Sequence, residues 1–142
     1  MKKIISISVS LVIIFTCIFT LSACSNEANK TGLWENAVYL EDTTLGEGEK
    51  TVTLQVCAEE QTVTFTVKTD KETVGDALLD NELISGDESQ YGLYIKVVNG
   101  ITAEYDVNSS YWAFYVNGEY ATSGVDTTDI DESAVYKLEY TK

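Results

Sequence analysis

The stretch from Thr51 to Val67 reads TVTLQVCAEEQTVTFTV. Thr51-Val52-Thr53-Leu54-Gln55-Val56 alternates polar and apolar residues, and Thr62-Val63-Thr64-Phe65-Thr66-Val67 does so again after a short acidic connection. Successive side chains of a strand point to opposite faces. The two runs therefore predict a hairpin whose apolar face carries Val52, Leu54, Val56, Val63, Phe65 and Val67. Such a face needs a cover, and the next segment supplies one. Thr73-Val74-Gly75-Asp76 opens like a capping box with Asp in the place of the usual Glu. Val74, Ala77 and Leu78 follow helical spacing, so a short helix is predicted to lay these three on the sheet. Ser85-Gly86-Asp87 reads as the end of that excursion.

Outward toward the C-terminus the strand signals continue. Leu93 to Val98 reads as a strand, Asn99-Gly100 as a two-residue type I′ turn, and Ile101 to Tyr105 as the return. Tyr111 to Val116 repeats the device with Asn117-Gly118 as its turn and Glu119-Tyr120-Ala121 returning, and Val135 to Tyr140 closes the chain as a last strand. Hairpin, helix, hairpin, hairpin and strand in that order predict an α+β domain, a sheet with one short helix packed on one face. The regular pattern begins near Thr51, and residues 51–142 suffice for one modest core.

Toward the N-terminus the chain changes character. Ser25 to Lys50 is rich in Ser, Asn, Glu, Thr and Gly, and reads as a flexible tether over 24–50 in which Ala37-Val38-Tyr39-Leu40 adds at most a short strand. Before it, Lys2 and Lys3 precede an apolar run from Ile4 to Leu21, closed by Leu21-Ser22-Ala23-Cys24. This is the layout of a secretory signal over 1–23. The run is about long enough to span a bilayer, but Ser6, Ser8, Ser10, Thr16 and Thr20 dilute it, and the small residues fit cleavage.

Composition narrows the chemistry. The chain carries 9 basic and 23 acidic residues, a net charge of −14, and no His, Arg or Pro. Losing residues 1–23 would remove two lysines and no acid. Nucleic acid is excluded as a partner, because its affinity comes from neutralising phosphates with Lys and Arg. Without His the commonest general base, the Ser-His and Cys-His pairs and the usual zinc ligand are missing. The expectation is a protein that is not an enzyme. Cys57 would be the only free thiol after processing; flanked by Ala58-Glu59-Glu60, it reads as a small half-buried apolar residue.

Two resemblances follow from these residues. Cys24 directly after Leu-Ser-Ala makes the leader similar to a bacterial lipoprotein signal, which implies diacylation of Cys24, cleavage before it, and a lipid-anchored protein on the extracytoplasmic face of the cell membrane. Two acyl chains anchor stably, at roughly 0.8 kcal/mol per buried methylene. Thr73 to Leu79, Tyr91-Gly92-Leu93-Tyr94-Ile95, Val98-Asn99-Gly100-Ile101, Tyr111 to Tyr120 and Gly124-Val125-Asp126 resemble the bacterial transcobalamin C-terminal-like domain. That resemblance covers roughly residues 50–142. It implies a β-grasp-like fold, a mixed sheet holding one helix. In the animal cobalamin carriers a related domain closes over the corrin ligand together with a helical domain, which nothing in this chain supplies.

The candidate site follows from strand alternation. It places Trp112, Phe114 and Val116 on the inward face with Leu93, Ile95 and Val97, and turns Tyr94, Tyr111 and Tyr115 outward as one aromatic face with Tyr120 at its edge. Tyrosine offers large area, two rotatable angles and a hydroxyl, which suits flat or amphipathic ligands. It is also simply a good strand residue. Asp126 to Glu132 holds four carboxylates, a calcium-like cluster without the EF-hand spacing, and no cofactor is expected. The functional expectation is a membrane-anchored, non-catalytic binding module for a small molecule, with cobalamin or another corrinoid as the named ligand. The alternative is a protein-interaction or adhesion module that recognises another envelope protein, for example by strand addition.

Overall fold

The computed structural model describes residues 30–142; the expected signal and Cys24 lie outside the described residues. A 3₁₀ turn at Gly32–Asn36 is followed by β1 (Thr43–Gly46), β2 (Lys50–Ala58), β3 (Gln61–Thr69), helix α1 (Val74–Asp80), β4 (Ile84–Ser89), β5 (Gly92–Val98) and β6 (Ile101–Thr102). A single helical turn α2 (Tyr105–Asn108), β7 (Tyr111–Val116), β8 (Glu119–Tyr120), a second 3₁₀ turn at Val125–Thr127 and β9 (Val135–Thr141) complete the chain. Six strands form one sheet in the order β1-β3-β2-β9-β7-β8, and β4-β5-β6 form a smaller one. The large sheet is mixed: β1 runs parallel to β3 and β9 parallel to β2, while the remaining pairs are antiparallel. The expected α+β, β-grasp-like architecture with one short helix is what the chain adopts.

The hairpin sets the core. Val52 faces Val67, Leu54 faces Phe65 and Val56 faces Val63, and all six side chains are buried. Each such burial is worth roughly 1.5–3 kcal/mol, so this face is the largest single contribution the sequence announces. Tyr136 and Leu138 of β9 extend it, and Val74, Ala77 and Leu78 of α1 close over it with no exposed surface of their own. Thr73 caps the helix, its Oγ1 accepting from the Asp76 N–H at 3.2 Å. Gly75 is required by contact: a Cβ there would stand 2.7 Å from the Asp126 backbone.

Four expectations need correction. The tether expected over 24–50 is packed structure from the first 3₁₀ turn onward. Trp34 is 1% exposed and its Nε1 donates to the Ala58 carbonyl at 2.9 Å, while β1 adds a parallel edge strand to β3. Ala37 to Leu40 is no ladder strand but is clamped by Asn99, whose Oδ1 accepts from Tyr39 N–H at 2.9 Å and whose Nδ2 donates to Tyr39 O at 2.8 Å. Second, Ser85-Gly86-Asp87 lies within β4, a strand exposed along Ser85 to Ser89 and held through its backbone to β5. Third, Ser85 pairs with Val97 and Gly86 with Ile95, so Lys96 is an extra residue in β5. This bulge resets the alternation: Leu93 and Ile95 pack on the core as expected, but then Val98, not Val97, is buried. The return from Asn99-Gly100 is likewise a strand only over Ile101–Thr102 before α2 begins.

Candidate functional site

β5 of the smaller sheet lies near β7, and β8 covers only one end of the β7 edge. Tyr115 pairs with Tyr120 and Val116 with Glu119, and Ala121 N–H donates to Phe114 O at 2.9 Å. Main-chain groups alternate sides along a strand, so those of Trp112 point to the same edge as those of Phe114, beyond the reach of β8. The gap left there is a cleft of about 340 Å³ lined by Leu93, Tyr94 and Ile95 on one side, Tyr111, Trp112 and Phe114 on the other, and Tyr120 to Val125 as a strap. None of these side chains is charged.

Of the four tyrosines that alternation grouped together, Tyr94, Tyr111 and Tyr120 border this cleft. Tyr115 does not. Instead Lys137 Nζ sits 4.2 Å from its ring centroid and Tyr120 packs edge-on against it at 5.3 Å. Lys137 is itself tied to Glu139, a hydrogen bond that holds its ammonium above the usual lysine range. Trp112 and Phe114, assigned to the core by alternation, have a double role. They are 7% and 8% exposed, packed against Tyr140 and Tyr136 respectively, yet they border the cleft. Leu93, Ile95 and the strap were not singled out as site residues. Gly124-Val125, quoted above as part of the family resemblance, was the one available signal for the strap.

Tyr94 separates this cleft from a second, charged hollow of about 350 Å³ lined also by Lys96, Glu104, Tyr105, Asp106 and Val107. Lys96 is paired with Asp87, and that hydrogen bond raises its pKa above the ordinary lysine value. The acidic loop 126–132 disperses its carboxylates. Asp126 Oδ2 accepts from Leu93 N–H at 3.3 Å, and Asp131 Oδ1 accepts from Ser133 Oγ at 2.6 Å and Ser133 N–H at 2.9 Å, which together hold its carboxyl below the usual Asp range. Among the described residues no three His, Cys, Asp or Glu side chains stand close enough to hold a metal ion. Cys57 is half-buried, as expected, with Thr62 Oγ1 donating to its sulfur at 3.3 Å.

A mixed sheet gripping one short helix, opened at one edge by an uncharged aromatic cleft, defines a β-grasp-like module. The chain belongs to the family described as a domain of unknown function, DUF4430, whose profile matches residues 71–142. A crystal structure of a candidate metal binding protein from Ruminococcus gnavus ATCC 29149 is similar over 66% of this chain and 98% of its own, with 26% identity and a TM-score of 0.62. Haptocorrin in complex with Cbi is similar over 69% of this chain and 27% of its own, with 17% identity and a TM-score of 0.51. The latter is a likeness of fold alone. No curated protein matches the chain.

Proposed function

We propose that the domain is a non-catalytic binding module, held on the outer face of the cell membrane by lipid on Cys24, that captures a small, flat, largely uncharged molecule such as a corrinoid. The observation that carries this reading is the cleft between β5 and β7: a wall of Tyr94, Tyr111, Trp112, Phe114 and Tyr120 without a charged side chain, in a chain of net charge −14. Pockets for small ligands are of this kind, apolar and aromatic with few polar groups. The likeness to haptocorrin supports the choice of a corrinoid at the level of fold, over about a quarter of that protein. The description of the Ruminococcus protein points instead to a cation, but the dispersed carboxylates here offer no trio of ligands. The absence of His and Arg from the sequence supports a non-catalytic role.

A second reading, recognition of an envelope protein by strand addition, is supported by the part of the β7 edge that β8 leaves uncovered. Thermal unfolding of residues 25–142 separates the two. A corrinoid at about 100 times its Kd adds about 2.7 kcal/mol of stability, which raises the midpoint by several degrees. Tyr94→Ser with Tyr120→Ser is expected to erase that rise while lowering the ligand-free midpoint little, since the two residues are 41% and 62% exposed. No rise with cobalamin or cobinamide removes the corrinoid and favours the protein partner. For the anchor, Cys24→Ala is expected to move the protein from the membrane fraction to the medium; an unchanged distribution sinks that part.

A further inference from the structure

The wall of the cleft formed by Leu93, Tyr94 and Ile95 stands on a thinly held piece of the fold. β5 pairs with β6 only at Val97 and Val98, so over Gly92 to Ile95 its one strand partner among the described residues is β4. β4 in turn is exposed at every position from Ser85 to Ser89 and forms the edge of its sheet. A two-stranded ribbon of this kind is marginal in water by itself. Its attachment to the rest of the domain is narrow. Leu93 and Ile95 pack partly on the core. Among the described residues, one hydrogen bond joins residues 86–95 to an element other than β4 and β5: Leu93 N–H donates to Asp126 Oδ2 at 3.3 Å. At the base of the ribbon lies the bulge, where Lys96 is the extra residue and a Cβ on Gly86 would collide with the Tyr94 carbonyl.

Asp126 belongs to the other side. Its backbone packs on α1 so closely that a Cβ on Gly75 would stand 2.7 Å from its Cα. The neighbouring Val125 is buried, and Val74 N–H donates to Thr128 O at 2.8 Å. The Asp126 carboxylate fits between two glycines: a Cβ on Gly92 would stand 2.6 Å from Oδ2, and one on Gly124 2.6 Å from Oδ1. A firmly seated residue thus reaches across to a ribbon that little else holds.

We propose that residues 86–95 form a flap over the cleft, hinged at the Gly86–Lys96 bulge, and that the Asp126 carboxylate is the latch that keeps it closed. Opening carries Leu93, Tyr94 and Ile95 away from Tyr111, Trp112 and Phe114 and widens the cleft; closing restores the wall around whatever has entered. Bulges bend and re-aim strands. Segments with few buried contacts and exposed ladder bonds open at lower free energy than the core. Admission of a ligand rests on the reading of the cleft as a small-molecule site; the flap and its latch do not.

Amide hydrogen exchange of the full chain in detergent micelles, read peptide by peptide in the mass spectrometer, gives the test. In the parent, residues 86–95 are expected to exchange faster than β2 and β3. Asp126→Ala is expected to speed exchange over 86–95 roughly tenfold, the equivalent of one lost hydrogen bond to a charged group, and to leave β2, β3 and α1 as they were. Asp126→Asn keeps an oxygen for Leu93 N–H and is expected to retain most of the protection. Residues 86–95 exchanging in step with β2 and β3 in the parent overturns the proposal. So does an Asp126→Ala protein in which 86–95 is unmoved, or in which α1 loosens as much as 86–95. Cyanocobalamin is expected to slow exchange over 86–95 and to dissociate faster from the Asp126→Ala protein than from the parent. Cyanocobalamin binding with exchange over 86–95 unchanged overturns the flap while leaving the binding reading in place. Faster exchange over 86–95 in Asp126→Ala where no corrinoid binds upholds the flap and removes the corrinoid.

Discussion

The chain uses a tryptophan and a Val-Asn-Gly turn twice, and puts the two copies of each to different uses. In the first copies, Trp34 seals the hairpin tip through Ala58, and Asn99 is 1% exposed with its side chain clamped to Tyr39. In the second copies, Trp112 borders the cleft and its indole N–H has no hydrogen-bond partner among the described residues, and Asn117 sits in an exposed turn. Both turns have their Asn and Gly in the left-handed region, at φ of 50° and 80° for Asn99-Gly100 and 51° and 82° for Asn117-Gly118. The local conformation is therefore the same, as the shared tripeptide demands. What differs is the surroundings: a Cβ on Gly100 would stand 2.4 Å from the Asn36 carbonyl, and one on Gly118 would meet nothing. Sequence decides the turn, and tertiary contact decides what the turn is for.

The sharpest way to break this contrast is Trp34→Ala. It removes a wholly buried indole and its hydrogen bond, and should cost about 3–5 kcal/mol in urea unfolding; a loss near 1 kcal/mol would mean that the N-terminal segment is decoration on a domain beginning at Thr51. Next comes the pair of turn variants. Asn99→Ala strands the Tyr39 N–H and C=O in a partly buried place and is expected to cost about 2–4 kcal/mol. Asn117→Ala loses an exposed acceptor for Val135 N–H, a bond of 2.9 Å, and should cost about 0.5–1.5 kcal/mol. Equal losses at the two sites would erase the distinction between the clamped and the exposed turn.

The smallest effect concerns pH. Ser133→Ala removes the hydroxyl that chiefly holds Asp131 below the ordinary Asp range, so the carboxyl pKa, followed by carbon NMR titration, should rise toward that range. A carboxyl held low in the folded state contributes stability that is fully present above the unfolded value and is lost as pH falls through the folded one. The variant should therefore differ from the parent at neutral pH and converge with it in acid. A gap that widens in acid would contradict the assignment.

How much of this was legible in the residues depended on whether a side-chain pattern existed to be read. The hairpin, the helix and both Asn-Gly turns declare themselves, because period two, period 3.6 and left-handed Asn-Gly are local signals. β4 had none: Ser85 to Ser89 is polar and exposed, and pairing through main-chain hydrogen bonds leaves no mark on composition. Residues 30–50 hid their order for a related reason, since one Trp among polar residues has no periodicity although its burial fixes the segment. The site was half readable. Of the tyrosines that alternation groups, Tyr94, Tyr111 and Tyr120 border the cleft and Tyr115 does not; Trp112, read as core, is core and borders the cleft as well, because alternation cannot see where a partner strand stops.

Trp34 also sets a distance. If Cys24 carries the proposed lipid, Thr31, the cap of the first packed turn, lies seven residue steps beyond it. At no more than about 3.3–3.6 Å each they reach roughly 25 Å even when drawn straight. The domain would ride within about its own width of the bilayer, a moored buoy on a short line. On that proposal, whatever the cleft received would have to come down to the membrane surface to be met.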